Sequence, residues 1–96
     1  MNQLTKMFDG KQLRIIEQNG QPWFVAKDVC EILDIKNNRD ALTRLDQDEK
    51  DAVGITDSIG RIQNTSIVSE SGLYNLIFQS RKPEAKQFKR WITHEV

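Results

Sequence analysis

The sequence is poor in the residues that most chemistry needs. A single cysteine, Cys30, excludes a disulfide within the chain and fits a reducing compartment. A single histidine, His94, stands near the C-terminal end, and no glycine-rich loop is present to cradle a phosphate. Cys30 and His94 lie far apart, with no carboxylate spaced to orient either, so neither nucleophilic nor acid–base catalysis has an assembled set of groups. Cys30, flanked by Val29 and Ile32, reads as a small core hydrophobe, and His94 as a solvated residue favoured by a helix C-terminus. The expectation is therefore a protein that is not an enzyme and needs no cofactor or metal. Net charge is absent as well. Fourteen basic residues balance fourteen acidic ones, so any nucleic acid must be held by a local patch rather than a global field. No apolar run approaches the length of a membrane span and no basic-then-apolar leader opens the chain, which reads as cytoplasmic. Repeats and low-complexity stretches are missing too, so residues 1–96 read as one domain. A chain of this length buries only roughly 60–65% of its unfolded surface, and an oligomer or a further domain would add to its stability.

What is present is concentrated between Ser69 and Val96. Leu73, Leu76, Ile77 and Ser80 fall at i, i+3, i+4 and i+7, with Tyr74 and Phe78 as a second stripe. This predicts a largely buried helix, capped by Ser69, with Glu70 at its positive end. Pro83 ends it near Ser80 or Arg81 and opens a second helix with Ala85, Phe88 and Ile92 on one face. The two helices are expected to form the main core, and the rest of the chain to pack onto them. Val96 comes in mid-helix with no glycine or proline stop, which reads as a fragment of a longer protein.

Towards the N-terminus, Lys6–Phe8 and Gln12–Glu17 read as strands around an Asp9-Gly10 turn. Asn19-Gly20 signals a hairpin that pairs Leu13–Gln18 with Gln21–Val25, with Pro22 at an edge or strand start. A short helix over Ala26–Leu33, a break at Asp34–Asn37 and a second helix to Leu45 give the outline of a helix-turn-helix, a weak signal alone. Asp46–Asp51 reads as a solvated acidic loop. Strands at Ala52–Ile55 and Arg61–Val68 follow, the latter with a bulge because Ile62 and Ile67 are out of phase. The order of elements makes the fold α+β, a small antiparallel sheet with two helical pairs.

Two basic clusters stand out. Lys36, Asn37, Asn38, Arg39 and Arg44 surround the second short helix, where asparagine and arginine suit base edges and phosphates alike. Arg81, Lys82, Lys86, Lys89 and Arg90 give residues 79–96 a net charge of plus three, five bases against Glu84 and Glu95, and suit phosphate contacts. From charge alone a solvated face is the favoured reading of either cluster.

The segments Gln21–Leu33 and Ser69–Ile92, the second with its Gly72–Trp91 motif, closely resemble the Bro-N domain. This is the N-terminal module of phage antirepressors and of baculovirus repeated open reading frame proteins, and the likeness runs from Phe8 to Val96. Where many members have Gly-Tyr after the first short helix, this chain has Asp34-Ile35. The resemblance implies a phage antirepressor-type regulatory domain in the cytoplasm of a bacterial host, binding DNA and serving the switch between lysis and lysogeny. A second reading is a protein-interaction module that binds a phage repressor or forms a homo-oligomer, with Trp23, Tyr74 and Phe78 as anchors and DNA left to a further C-terminal domain.

Overall fold

Two tight turns build the first half of the sheet in the computed structural model, which describes residues 2–95. Asp9-Gly10 and Asn19-Gly20 place both their residues at positive φ (52° and 78°, 54° and 76°), as a two-residue hairpin turn requires. They set strand β1 (Asn2–Phe8) against β2 (Lys11–Gln18), and β2 against β3 (Gln21–Val25), with Phe8 opposite Lys11 and Gln18 opposite Gln21. Helix α1 (Ala26–Ile32) follows β3 without a loop, and α2 (Asn38–Thr43) comes next. Strands β4 (Lys50–Thr56) and β5 (Ile62–Val68) form a second hairpin, before helices α3 (Glu70–Gln79) and α4 (Ala85–Glu95). The sheet order is β1-β2-β3-β5-β4, antiparallel throughout, so the fold is α+β.

One consequence of that order shapes the surface. β3 meets β5 only at Phe24–Val68 and Val25–Ile67, because the chain turns into α1 at Ala26. Residues 62–66 of β5 have no β3 partner, and the β4–β5 hairpin extends as an arm past the start of α1. Its pairing with β4 runs unbroken from Lys50–Val68 to Thr56–Ile62, so the expected bulge is absent. Ile62 and Ile67 are out of phase because they face opposite sides of the sheet. Ile67 is fully buried, whereas Ile62 lies out on the arm and is 76% exposed.

Both sheet faces are packed. Leu13, Ile15, Phe24 and Val68 point towards the helices and meet Val29, Cys30, Leu33, Leu73, Leu76, Phe88 and Ile92. Ile16, Val25, Ile55 and Ile67 cluster on the other side with Trp23 and Val53. Gln18 Nε2 donates to Asp51 Oδ2 at 3.0 Å, from β2 to β4, although two strands separate them in the sheet. The sheet therefore coils, bringing distant strands together over the second cluster.

The main core is wider than the expected C-terminal pair, since the sheet and α1 supply much of it. Each fully buried Leu, Ile or Phe side chain contributes about 1.5–3 kcal/mol. Phe8 at the end of β1 packs against Phe88 and Trp91 with ring centroids 5.2 Å from each, closing the core beside α4. The predicted burial of both apolar stripes of α3 fails at Phe78, which is 89% exposed. Phe78 lies roughly 140–200° around the helix from Leu73 and Leu76, which face the sheet, and among the described residues no element covers that side. The turn Asp46–Glu49 is also more ordered than a charged loop. Glu49 accepts from the Asp46 N–H at 2.9 Å, and β4 begins directly after it at Lys50.

Gly72 lets α3 approach this turn closely, since a Cβ there would sit 2.8 Å from the Glu49 carbonyl oxygen. Ser69 caps the same helix, its Oγ accepting from the Gly72 N–H at 3.2 Å. The C-terminal end of α1 is accounted for carbonyl by carbonyl. Cys30 accepts from the Ile35 N–H at 2.8 Å, and Glu31 from the Asp34 N–H at 3.3 Å and Lys11 Nζ at 3.2 Å. Ile32 accepts from Lys82 Nζ at 3.2 Å and Leu33 from Ser80 Oγ at 2.9 Å. The first two bonds form a Schellman motif with Asp34 at φ 56°, a left-handed position that favours glycine.

Candidate nucleic-acid interface

The site is organised by a carboxylate on an apolar stripe. Asp28 lies in the first turn of α1 between Val25 and Val29, and only 2% of it is exposed. A buried carboxylate needs donors, and β2 provides them. Asp28 Oδ2 accepts from the Arg14 N–H and from Arg14 Nε, and Oδ1 from Arg14 Nη2, all at 2.9 Å. The forked pairing raises the guanidinium above its ordinary value, the Asp28 hydrogen bond outweighing desolvation. The pair also satisfies the strand N–H of Arg14, which lies just past the last β2–β3 pair.

Arg14 forms the floor of a cleft of about 320 Å³ between α2 and the β4–β5 arm. Asn38, Arg39 and Leu42 of α2 form one wall, and Gln63, Asn64, Thr65 and Ser66 of β5 the other, with Ala26 and Lys27 at the base. The arm is stiffened at its tip by Asp57, whose Oδ1 accepts from the Ile59 and Arg61 N–H groups at 3.0 and 2.9 Å. A second hollow of about 430 Å³ shares Lys27 and Asn38 with the first, and adds Lys11, Lys36, Glu31 and Asp34. The two make one polar surface carrying Lys11, Lys27, Lys36 and Arg39, interrupted by two carboxylates.

The ten residues expected at DNA separate into those with internal duties and those on the surface. Asn37 Oδ1 caps α2 by accepting from the Asp40 N–H at 3.1 Å. Arg44 pairs with Asp40 at 3.1 Å and donates to Gln79 Oε1 at 3.3 Å, so it is turned towards α3. Lys82 is spent on the Ile32 carbonyl. Lys36 and Arg39 are exposed and Asn38 is half-buried, all on the polar surface. Arg81, Lys86, Lys89 and Arg90 are exposed elsewhere, the first three around a groove between α3 and α4 and Arg90 outside it. A hollow of about 500 Å³ lined by Asp34, Ile35, Gln79, Ser80, Arg81 and Lys82 lies between the two clusters. Sequence reasoning missed Lys11, Arg14, Lys27 and the polar run Gln63–Ser66. The signal for Arg14 was available, because Asp28 occupies an apolar helix position and so demands a cation.

Cys30 is fully buried, and desolvation pushes its thiol up to about 11, which leaves it protonated at neutral pH. Among the described residues no group of three His, Cys, Asp or Glu could hold a metal ion, and no helix is long and apolar enough to cross a membrane.

Comparison with known proteins gives this surface its context. The model of the BRO family, N-terminal domain, matches residues 12–96. The chain belongs to the BRO family. It is 38% identical over 86 residues to an uncharacterized protein of Haemophilus influenzae, covering 85% of this chain and 41% of that protein. It is 27% identical over 103 residues to a protein of Invertebrate iridescent virus 6 whose name describes it as Bro-N domain-containing, covering 88% of this chain and 25% of that protein. The chain thus spans about two fifths and a quarter of these relatives. No solved structure matches it. The matched residues 12–96 carry the sheet from β2 onwards, the Arg14–Asp28 pair and the cleft.

Proposed function

We propose that this Bro-N domain is a DNA-binding regulatory module of the phage antirepressor type, acting on transcription in the switch between lysis and lysogeny. The reading is carried by the polar surface joining α2 to the β4–β5 arm in a chain of the BRO family. In this reading Lys27, Lys36 and Arg39 hold phosphates, while Asn38 and the amide of Asn64 face base edges or sugars. Lys11 is engaged by the Glu31 carbonyl and the Gln63 amide by Asp57. Glu31 and Asp34 weaken the field, so affinity rests on few phosphate contacts and is modest, with a salt slope of only about 1 per contact. The greater length of both relatives supports a further domain acting beside this one.

Fluorescence anisotropy of a labelled duplex across a salt series tests this. Binding at low salt is expected, with Lys36→Ala and Arg39→Ala each lowering the slope of log K against log salt by about 1. Absence of binding at low salt, or an unchanged slope in the double variant, refutes it. One observation favours a second reading, in which the domain binds a repressor protein or a second copy of itself: the exposed ring of Phe78 on α3. Light scattering and a pull-down with the cognate repressor address that reading.

A further inference from the structure

The groove between α3 and α4 is built differently from the polar cleft, and the two share no lining residue. It encloses about 570 Å³, with Tyr74, Ile77 and Phe78 on its α3 side and Pro83 and Ala85 where the chain turns into α4. Arg81, Lys86 and Lys89 stand around it, and among the described residues no carboxylate lines it. Phe78 presents almost its whole ring to solvent. An apolar trough rimmed by one sign of charge specifies its occupant by complementarity. The trough takes apolar side chains from one face, and the rim takes acids that flank them.

We propose that this groove docks an acidic amphipathic helix from a protein partner, with apolar side chains against Ile77 and Phe78 and carboxylates on Arg81, Lys86 and Lys89. This deepens the protein-interaction reading above and stands whether or not the polar cleft holds DNA. Nucleic acid suits the groove less well. A base could stack on Phe78, but beside it only the Tyr74 hydroxyl is offered to base edges, since Ser80 Oγ is held by the Leu33 carbonyl. Phosphates would be desolvated against Ile77, Pro83 and Ala85. An amphipathic helix has an apolar face to bury there, with anchors one turn apart.

The test uses a fluorescein-labelled 16-residue peptide with leucines at i, i+3, i+4 and i+7 and glutamates elsewhere. A scrambled peptide of the same composition, a lysine-for-glutamate version and a single-stranded oligonucleotide are run beside it. Binding of the acidic amphipath alone is expected, weakened about tenfold or more by Phe78→Ala and by Lys86→Glu with Lys89→Glu. Phe78 is exposed, so its truncation leaves the core intact, and an unchanged thermal transition checks this. Equal binding of the acidic and basic amphipaths, indifference to Phe78→Ala, or oligonucleotide binding that Phe78→Ala abolishes would each overturn the proposal. So would a dimer that buries Phe78 and excludes the peptide, an outcome that leaves the interaction reading itself standing.

Discussion

Replacing Asp28 with alanine removes the acceptor of three hydrogen bonds from Arg14 and leaves a guanidinium with 24% of its side chain exposed. Breaking a buried ion pair from one side costs about 3–5 kcal/mol, because the remaining charge is stranded. Here the guanidinium can recover part of its hydration through the cleft, so the cost is taken at the lower end, about 3 kcal/mol. The reverse change, Arg14→Met, strands a carboxylate that is only 2% exposed and should cost about 4–5 kcal/mol near neutral pH. For a urea slope of about 1–3 kcal/mol/M, Asp28→Ala lowers the midpoint by about 1–3 M at unchanged slope. The double variant Arg14→Met with Asp28→Leu keeps neither charge, and should recover at least about 2 kcal/mol of the summed single losses. Urea titrations followed by tryptophan fluorescence measure all three. A loss below about 1 kcal/mol for Asp28→Ala, or strict additivity in the double variant, would show that the pair does not hold β2 to α1.

Other outcomes follow from single contacts. Gly72→Ala forces a methyl group to 2.8 Å from the Glu49 carbonyl oxygen, a backbone atom that cannot swing away, and should cost about 1–3 kcal/mol in the same titration. Asp34→Gly relieves a left-handed residue at φ 56° and should raise stability by about 0.5–1 kcal/mol, while removing a carboxylate from the polar surface and tightening any DNA complex. The raised Cys30 thiol makes stability fall at alkaline pH, because the unfolded thiol loses its proton near 9.0 and the folded one only near 11. Stability from this group is complete below pH 9 and declines between those values by up to about 2–3 kcal/mol, at about 1.4 kcal/mol per pH unit. Cys30→Ala should show a shallower alkaline decline, and a native thiol that reacts with iodoacetamide at pH 8 as fast as in urea would refute the burial.

Local signals were legible in the sequence because they are properties of a few adjacent residues. Asn19-Gly20 sets the hairpin, Ser69 caps α3, Pro83 separates the last two helices, and the Ala85, Phe88, Ile92 stripe lies inward. The misses share one cause, which is that burial depends on elements distant in sequence. Phe78 carries the same apolar signal as Leu76, yet the sheet reaches only one side of α3. Ile62 matches the strand pattern but lies on a part of β5 that β3 cannot reach, since β3 has already become α1. The cleft is assembled from β2, α1, α2 and β5, so a cluster defined by neighbouring positions could find Asn38 and Arg39 but not Arg14 or Asn64. Charge counting could not show that Arg44 pairs with Asp40 on the surface or that Lys82 donates to the Ile32 carbonyl.

Helix α1 connects these observations. At seven residues it is too short to persist alone, and no side chain caps its start. It is fixed from outside at both ends. Arg14 grips Asp28 in its first turn, while Lys11, Ser80 and Lys82 supply donors to the carbonyls at its end. The first attachment sets the floor of the polar cleft. The last two come from the segment between α3 and α4 whose Ser80 and Lys82 also line the apolar groove. One short helix thus fixes both surfaces relative to each other, and loosening either end should degrade both. Asp28→Ala is therefore expected to weaken the acidic peptide at the groove as well as DNA at the cleft, whereas Phe78→Ala, which touches no part of α1's anchoring, should leave DNA binding unchanged.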